Sequence, residues 1–243
     1  MSLGLLELVT KARLIQPDLE RTFERMDHHL VDWKAHPKKV QGMAGEYLLD
    51  DILDRTGANV FEGRCGAMPG VYYAHDVSYS FMFGRRYHRS IAPKVRRVSL
   101  VPSYSLPPHY DQIGDFDRLV RVNGSLLGWE VKMAPQKRIH TWITDYLENP
   151  WSNTRILEQA IEAITGLPLT WALFIPSSVS NERPQEMREF QDSGGHIIKA
   201  PYTLGAFRNA VGQARSARLA APLPPSSAYP YQHYESIGGA TFK

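Results

Sequence analysis

The sequence predicts an α/β protein, a central mixed sheet flanked by helices, on three observations. Gly42 to Thr56 (GMAGEYLLDDILDRT) sets Leu48, Leu49, Ile52 and Leu53 on one helical face. Ile113 to Met133 carries two β-rich runs around Asn123-Gly124, a dipeptide preferred in two-residue hairpin turns. Beyond it, helices and short strands alternate: a helix at about Asn153 to Thr165, a buried strand at Trp171 to Ile175, a helix at about Pro184 to Asp192 and a strand at about His196 to Lys199. A length of 243 residues suits one such domain with decorations. A hydrophobic share of 43% is enough to give it a core.

The first forty residues read as helical, with Leu5, Leu6, Leu8 and Val9, then Leu19, Phe23, Met26 and Leu30, at roughly helical spacing. Pro17 fits the first turn of the second helix, and Pro37 separates this region from the next. Gly57 is a good C-cap for the 42–56 helix, and Asn59 to Arg64 looks like a short strand and turn. Residues 66–110 mix aromatics (Tyr72, Tyr73, Tyr79, Phe81, Phe83, Tyr87) with a basic run and with Pro69, Pro93, Pro102, Pro107 and Pro108. That reads as an irregular insertion holding one or two strands, the best being Val95 to Val101. From about Ser216 the chain is rich in Ala, Pro, Ser, Tyr and Gly with little periodicity, as in an extended or disordered tail or a partner-docking arm. The expected organisation is a helical extension over 1–40, an α/β domain over 41–205 with the 66–110 insertion, and a helix end and Pro/Ser/Tyr-rich tail over 206–243.

Composition narrows the setting. The lone cysteine, Cys65, forms no internal disulfide and excludes cysteine-based zinc sites, so a reducing cytoplasm is the simplest expectation. The N-terminus lacks a basic stretch followed by a long apolar one, and no apolar run approaches the ~20 residues of a membrane helix. A net charge of +3 is compatible with a nucleic-acid partner but says little by itself, because a local patch matters more than the total. The histidines at 28–29, 75, 88, 109 and 140 show no metal-ligand spacing.

The hairpin carries the chemistry. With Asn123-Gly124 as the loop, Val122 faces Ser125, and counting outward pairs Asp117 with Glu130 and Asp115 with Lys132. Strand alternation then places all four on one face. The opposite face carries Phe116, Val120, Val122, Leu127, Trp129, Val131 and Met133, broken by Arg118 and Ser125. Opposed carboxylates with Cβ atoms about 4.5–5.5 Å apart repel unless neutralised, and a divalent cation does this well. The plainer alternative is a solvated surface of acids and a lysine. The apolar run around Glu130 argues for a central strand instead, where charge needs a reason.

These residues resemble the PD-(D/E)XK nuclease superfamily. GDFDRLV looks like its Asp motif, Glu130-Val131-Lys132 in LLGWEVKM looks like its Glu-x-Lys, and QGMAGEYLLDDILDRTG resembles its first helix, with Glu46 in the acid position. The family's Asp could be Asp115 or Asp117, and the register favours Asp117. The resemblance covers roughly residues 42–200. It implies a restriction-endonuclease-like α-β-β-β-α-β core and metal-dependent hydrolysis of phosphodiesters, most plausibly in DNA, with RNA still open. Asp117, Glu130 and the Val131 carbonyl would hold Mg²⁺, or Mn²⁺ in its place, and Lys132 would orient or help deprotonate the attacking water. Asp115 would be accessory. Gln159 resembles a glutamine some members place near the site, although Ala163 stands where its companion tyrosine often does. Arg85, Arg86, Arg89, Lys94, Arg96 and Arg97 follow one another without an intervening acid and could contact phosphates, or could form a solvated face. Competing readings are a nuclease fold that binds without cutting, and a homodimer or subunit of a larger machine. No Gly-x-Ser-x-Gly, phosphate loop or dinucleotide fingerprint supports another enzyme class.

Overall fold

The structure, a computed structural model, describes residues 4–60, 69–74, 98–102, 110–150, 152–180 and 184–221. Along the chain it forms α1 (Leu5–Leu14), α2 (Leu19–His28), α3 (Pro37–Thr56), β1 (Asn59–Val60), β2 (Pro69–Ala74), β3 (Val98–Pro102), β4 (Tyr110–Asp115), β5 (Arg118–Val122) and β6 (Ser125–Val131). There follow α4 (Gln136–Glu148), α5 (Asn153–Thr165), β7 (Leu169–Ile175), α6 (Pro184–Asp192), β8 (His196–Lys199) and α7 (Leu204–Ala220). The class is the expected one: a mixed sheet flanked by helices.

The principal sheet runs β1-β5-β6-β7-β8, with β1 a two-residue edge. Its first half is an antiparallel meander, and β7 and β8 then add in parallel to β6. β6 and β7 are central and buried on both faces, which is why Leu126 to Val131 and Trp171 to Ile175 read as apolar runs without clean alternation. One face packs Val120, Val122, Leu127, Trp129, Ala172 and Phe174 against α1, α3 and α7. The other packs Leu119, Leu126, Trp171, Leu173 and Ile175 against α4, α5 and α6. α1 and α2 share the first of these cores through Leu8, Val9, Phe23 and Met26.

The hairpin turns where expected. Gly124 sits at φ 71°, the left-handed conformation glycine adopts most easily, while Asn123 does not share the positive φ, so the two-residue loop is not the type I′ turn that the dipeptide favours. The pairs Val122–Ser125, Leu119–Gly128 and Arg118–Trp129 follow the predicted register. The longer first strand is not continuous, however. β4 belongs to a second, three-stranded antiparallel sheet of order β3-β2-β4, and the chain changes sheets at Phe116 and Asp117. Asp115 is therefore registered with Gly70 and not with Lys132. Phe116 likewise leaves the face of Val120 for the other core, where it stacks on Trp171 at 5.2 Å between ring centroids.

Other expectations shift for local reasons. Pro37 opens α3 at its first turn, so the helix runs 20 residues and Pro37 is no separator. Its end at Gly57, with φ 74°, is as predicted. α2 starts after Asp18, whose carboxylate accepts from the Glu20 N–H, so Pro17 lies outside it. α4 was not expected. The helix α7 continues past Ser216 to Ala220. Of the insertion, β2 and β3 are strands, β3 lying slightly later than the expected span, and residues 95–97 are outside the described set. Among the described residues no helix is long and apolar enough to cross a membrane.

Candidate functional site

Three segments meet where β5 begins and β6 ends. α3 is held there by close packing. A Cβ on its buried Gly45 would stand 2.8 Å from Met133 Cγ and 3.0 Å from Val131 Cγ1, so only a glycine lets the helix approach this far. Gln41 Nε2 also donates to the Met133 carbonyl at 2.8 Å. This contact sets Glu46, one residue after Gly45, and Asp50, one turn on, beside the start of β5.

Asp117 stands just before β5. Lys132 N–H donates to the Phe174 carbonyl on β7, so the N–H and C=O of Val131 point the other way, toward β5. In an unbroken ladder the Val131 N–H would meet the Phe116 carbonyl. Instead it donates to Asp117 Oδ2 at 2.6 Å. The break between sheets thus puts a carboxylate where a backbone acceptor would be. The carboxyl group of Asp117 is closed in, and its pKa lies well above the usual carboxylate range. Burial is the main cause, followed by the negative charges of Glu130 and Glu46. The Val131 N–H and Lys132 pull in the opposite direction.

Glu130 is ion-paired to Lys132 two residues along the same face of β6. Arg118 faces α3. Its guanidinium forks onto Asp50 through Nε and Nη2, the latter at 2.5 Å, donates through Nη1 to the Asp117 carbonyl, and lies 3.6 Å from Glu46 Oε2. Burial works against its charge, but Asp50, Glu46 and Asp117 outweigh that and raise its pKa.

Glu46, Asp117, Glu130, Val131 and Lys132 are thus brought to one place. Glu46 lies in the third turn of α3, too far from the first turn to act on the helix N-terminus. Asp115 ends β4 beside Gly70, and its side chain is outside the described residues. Gln159 is exposed on α5, the helix that covers β2, β3, β4 and β7. Arg85, Arg86, Arg89, Lys94, Arg96 and Arg97 lie outside the described residues. Sequence reasoning missed Asp50 and Arg118. Two signals were present: Asp50 lies four residues after Glu46, and Arg118 interrupts an apolar face.

The donors are carboxylate oxygens with a backbone carbonyl on the same strand edge, a set suited to a hard divalent cation. The half-buried Asp117, raised by two neighbouring acids, is the kind of site such an ion would relieve. In the present arrangement the chain's own cations occupy the acids: Lys132 is on Glu130, and Arg118 is on Asp50. Among the described residues no group of three or more His, Cys, Asp or Glu side chains is gathered in ligating geometry. Cation binding would require Lys132 to swing from Glu130. Compared with known proteins, the chain matches no family model, no curated protein and no solved structure.

Proposed function

We propose that the protein is a metal-dependent phosphodiesterase of the PD-(D/E)XK type that cleaves DNA. The observation that carries this reading is the meeting of Asp117, Glu130 and Glu46 with Lys132 at one sheet end, with the half-buried Asp117 beside the other two acids. The order of elements supports it: α3, the antiparallel meander β1–β5–β6, a helix, then β7 parallel to β6. This order is compatible with the α-β-β-β-α-β order of a restriction-endonuclease-like core, if α4 and the second sheet are taken as additions.

In this reading Asp117, Glu130 and the Val131 carbonyl would hold Mg²⁺ or Mn²⁺, which would supply charge against the phosphate and a lowered pKa for water. Glu46 adds negative potential that favours the cation. Asp117 would hold the cation as its carboxylate. Lys132, released from Glu130, directs its ammonium to the attacking water or to the charge growing on the phosphate. DNA as substrate rests on the resemblance and on the basic run from Arg85 to Arg97.

The test incubates the full chain and its Glu130→Gln variant with supercoiled, linear and single-stranded DNA in Mg²⁺, Mn²⁺ or EDTA. Cleavage that needs the metal and disappears in the variant is expected. The pairing of Lys132 with Glu130, and of Arg118 with Asp50, favours a second reading: a nuclease fold that binds nucleic acid, or serves a larger complex, without cutting. Intact DNA in every metal, with DNA binding retained, would select that reading.

A further inference from the structure

We infer that Asp50 and Arg118 are positioning residues, a clamp between α3 and β5 that fixes the Asp117 carboxylate on the Val131 N–H and holds Glu46 beside it. The inference rests on the metal-dependent reading for its functional meaning, while its structural content stands on contacts alone. Every nitrogen of the guanidinium is used. Nε and Nη2 grip the two oxygens of Asp50, which fixes the plane of the group. Nη1 is then left to donate to the Asp117 carbonyl, with Glu46 Oε2 at 3.6 Å. Asp117 is consequently tied at both ends: its carbonyl by Arg118 and its carboxylate by Val131.

The placement is not that of an ordinary surface ion pair. The Arg118 and Asp50 side chains are 17% and 15% exposed. Asp117 has no ladder partner of its own, since β5 begins only at Arg118 and the preceding strand belongs to another sheet. Without the clamp, little besides the Val131 hydrogen bond would set the backbone of a residue whose carboxyl group faces Glu130. A lysine in place of Arg118 could pair with Asp50 but could not grip it with a planar fork and reach the Asp117 carbonyl in fixed geometry.

The clamp predicts a result that electrostatics alone would reverse. Arg118→Gln removes a positive charge beside the carboxylates, which by itself would strengthen cation binding. Loss of positioning weakens it instead. Because the single variant leaves Asp50 without its cation, the Asp50→Asn/Arg118→Gln pair, which leaves the local net charge unchanged, and the charge-conserving Arg118→Lys accompany it. Two measurements on the full chain are made: Mn²⁺ affinity, followed by the spectrum of free Mn²⁺, and amide hydrogen exchange at Val131 relative to Lys132. The Lys132 N–H bonds to Phe174 on the opposite strand edge and so serves as the internal reference. Expected are Mn²⁺ binding weaker by about 10- to 100-fold in the variants, the size found when groups that orient metal ligands are removed, and faster exchange at Val131 than at Lys132. Folded variants with wild-type Mn²⁺ affinity and an unchanged Val131 to Lys132 ratio would overturn the clamp. If the wild-type chain binds no Mn²⁺, the metal-dependent reading fails, and the Val131 ratio alone decides the clamp: a change upholds it and no change overturns it.

Discussion

Gly128 in the middle of β6 is where the packing of the sheet bears most directly on the site. Replacing it with alanine adds a methyl group 2.8 and 2.9 Å from Phe116 Cδ1 and Cε1 and 3.3 Å from Trp171 Cε3. Relaxed carbon contacts lie near ~3.5–4.0 Å, so the phenyl ring would have to retreat by roughly 0.7 Å or more. It has little room to move: Phe116 is wholly buried and stacked on Trp171, which the same methyl group also crowds. Overpacking of this kind costs about 1–3 kcal/mol. Loss of a strand glycine returns about 0.5–1 kcal/mol through the unfolded chain. The net is a destabilisation of about 1–2 kcal/mol, or a Tm lower by about 2–8 °C in a chain of this size. Thermal denaturation followed by circular dichroism measures it. Phe116→Leu should cost less in the Gly128→Ala background than in the wild type, because it vacates the space the methyl group needs. A Gly128→Ala protein melting at or above the wild-type temperature, or additive costs in the double variant, would refute the packing argument.

Three further outcomes follow from the same geometry. Asp117→Asn should stabilise the protein at neutral pH by about 1–3 kcal/mol, the scale of one carboxyl group linked to folding. With a folded pKa raised above its unfolded value, the ionised carboxyl opposes folding. The gain should therefore vanish below about pH 4 and grow as pH rises toward the folded pKa, as urea denaturation between pH 4 and 8 would show. The wholly buried Asp51 accepts the Asp18 N–H at 3.2 Å and takes charge contacts from Arg21 Nε at 3.2 Å and Arg55 Nη1 at 3.4 Å, the former without hydrogen-bond alignment. Asp51→Ala should cost about 1–3 kcal/mol, less than a fully buried pair because both arginines can turn to water, and urea denaturation should show it with cleavage unaffected at temperatures where the variant is folded. Glu130→Gln should abolish metal-dependent cleavage while leaving the melting temperature within a few degrees of wild type.

The parts of the fold that were legible in sequence are those fixed by local signals. Asn123-Gly124 dictated the turn and with it the register from Val122–Ser125 to Arg118–Trp129. Gly57 closed α3 with a left-handed cap at the expected place, and α5 ends at Thr165 as expected. What failed was long-range. Nothing local in Tyr110 to Asp115 says that it pairs with β2 and not with β6, since a strand's partner is chosen by tertiary structure. α4 was overlooked, although Ile139, Ile143 and Tyr146 repeat at helical spacing and are buried. Arg118 was visible as an interruption of an apolar face, but its partner Asp50 lies 68 residues away, and only the approach of α3 through Gly45 joins them.

The break that ended the expected hairpin early is also what gives the site its character. Had β5 continued to Asp115, Phe116 would have supplied its carbonyl to the Val131 N–H, and Asp117 would have been one more outward acid on a regular ladder, open to water and ordinarily ionised. Because the chain leaves for a second sheet at Phe116, the carboxylate of Asp117 turns inward and takes the place of that carbonyl. The Val131 N–H and Lys132 do not outweigh desolvation and the charges of Glu130 and Glu46, so the group is held toward its neutral form. Among the described residues, the ion pairs of Glu46, Asp50 and Glu130 run to two cations, Arg118 and Lys132. The two cations differ in kind. Arg118 is fixed by a two-pronged grip and a backbone bond, whereas among the described residues Lys132 pairs with Glu130 and hangs on a flexible stem. In the metal-dependent reading an added cation would therefore compete with Lys132 for Glu130 and leave the Arg118 grip in place, so Lys132 is the side chain that would have to move.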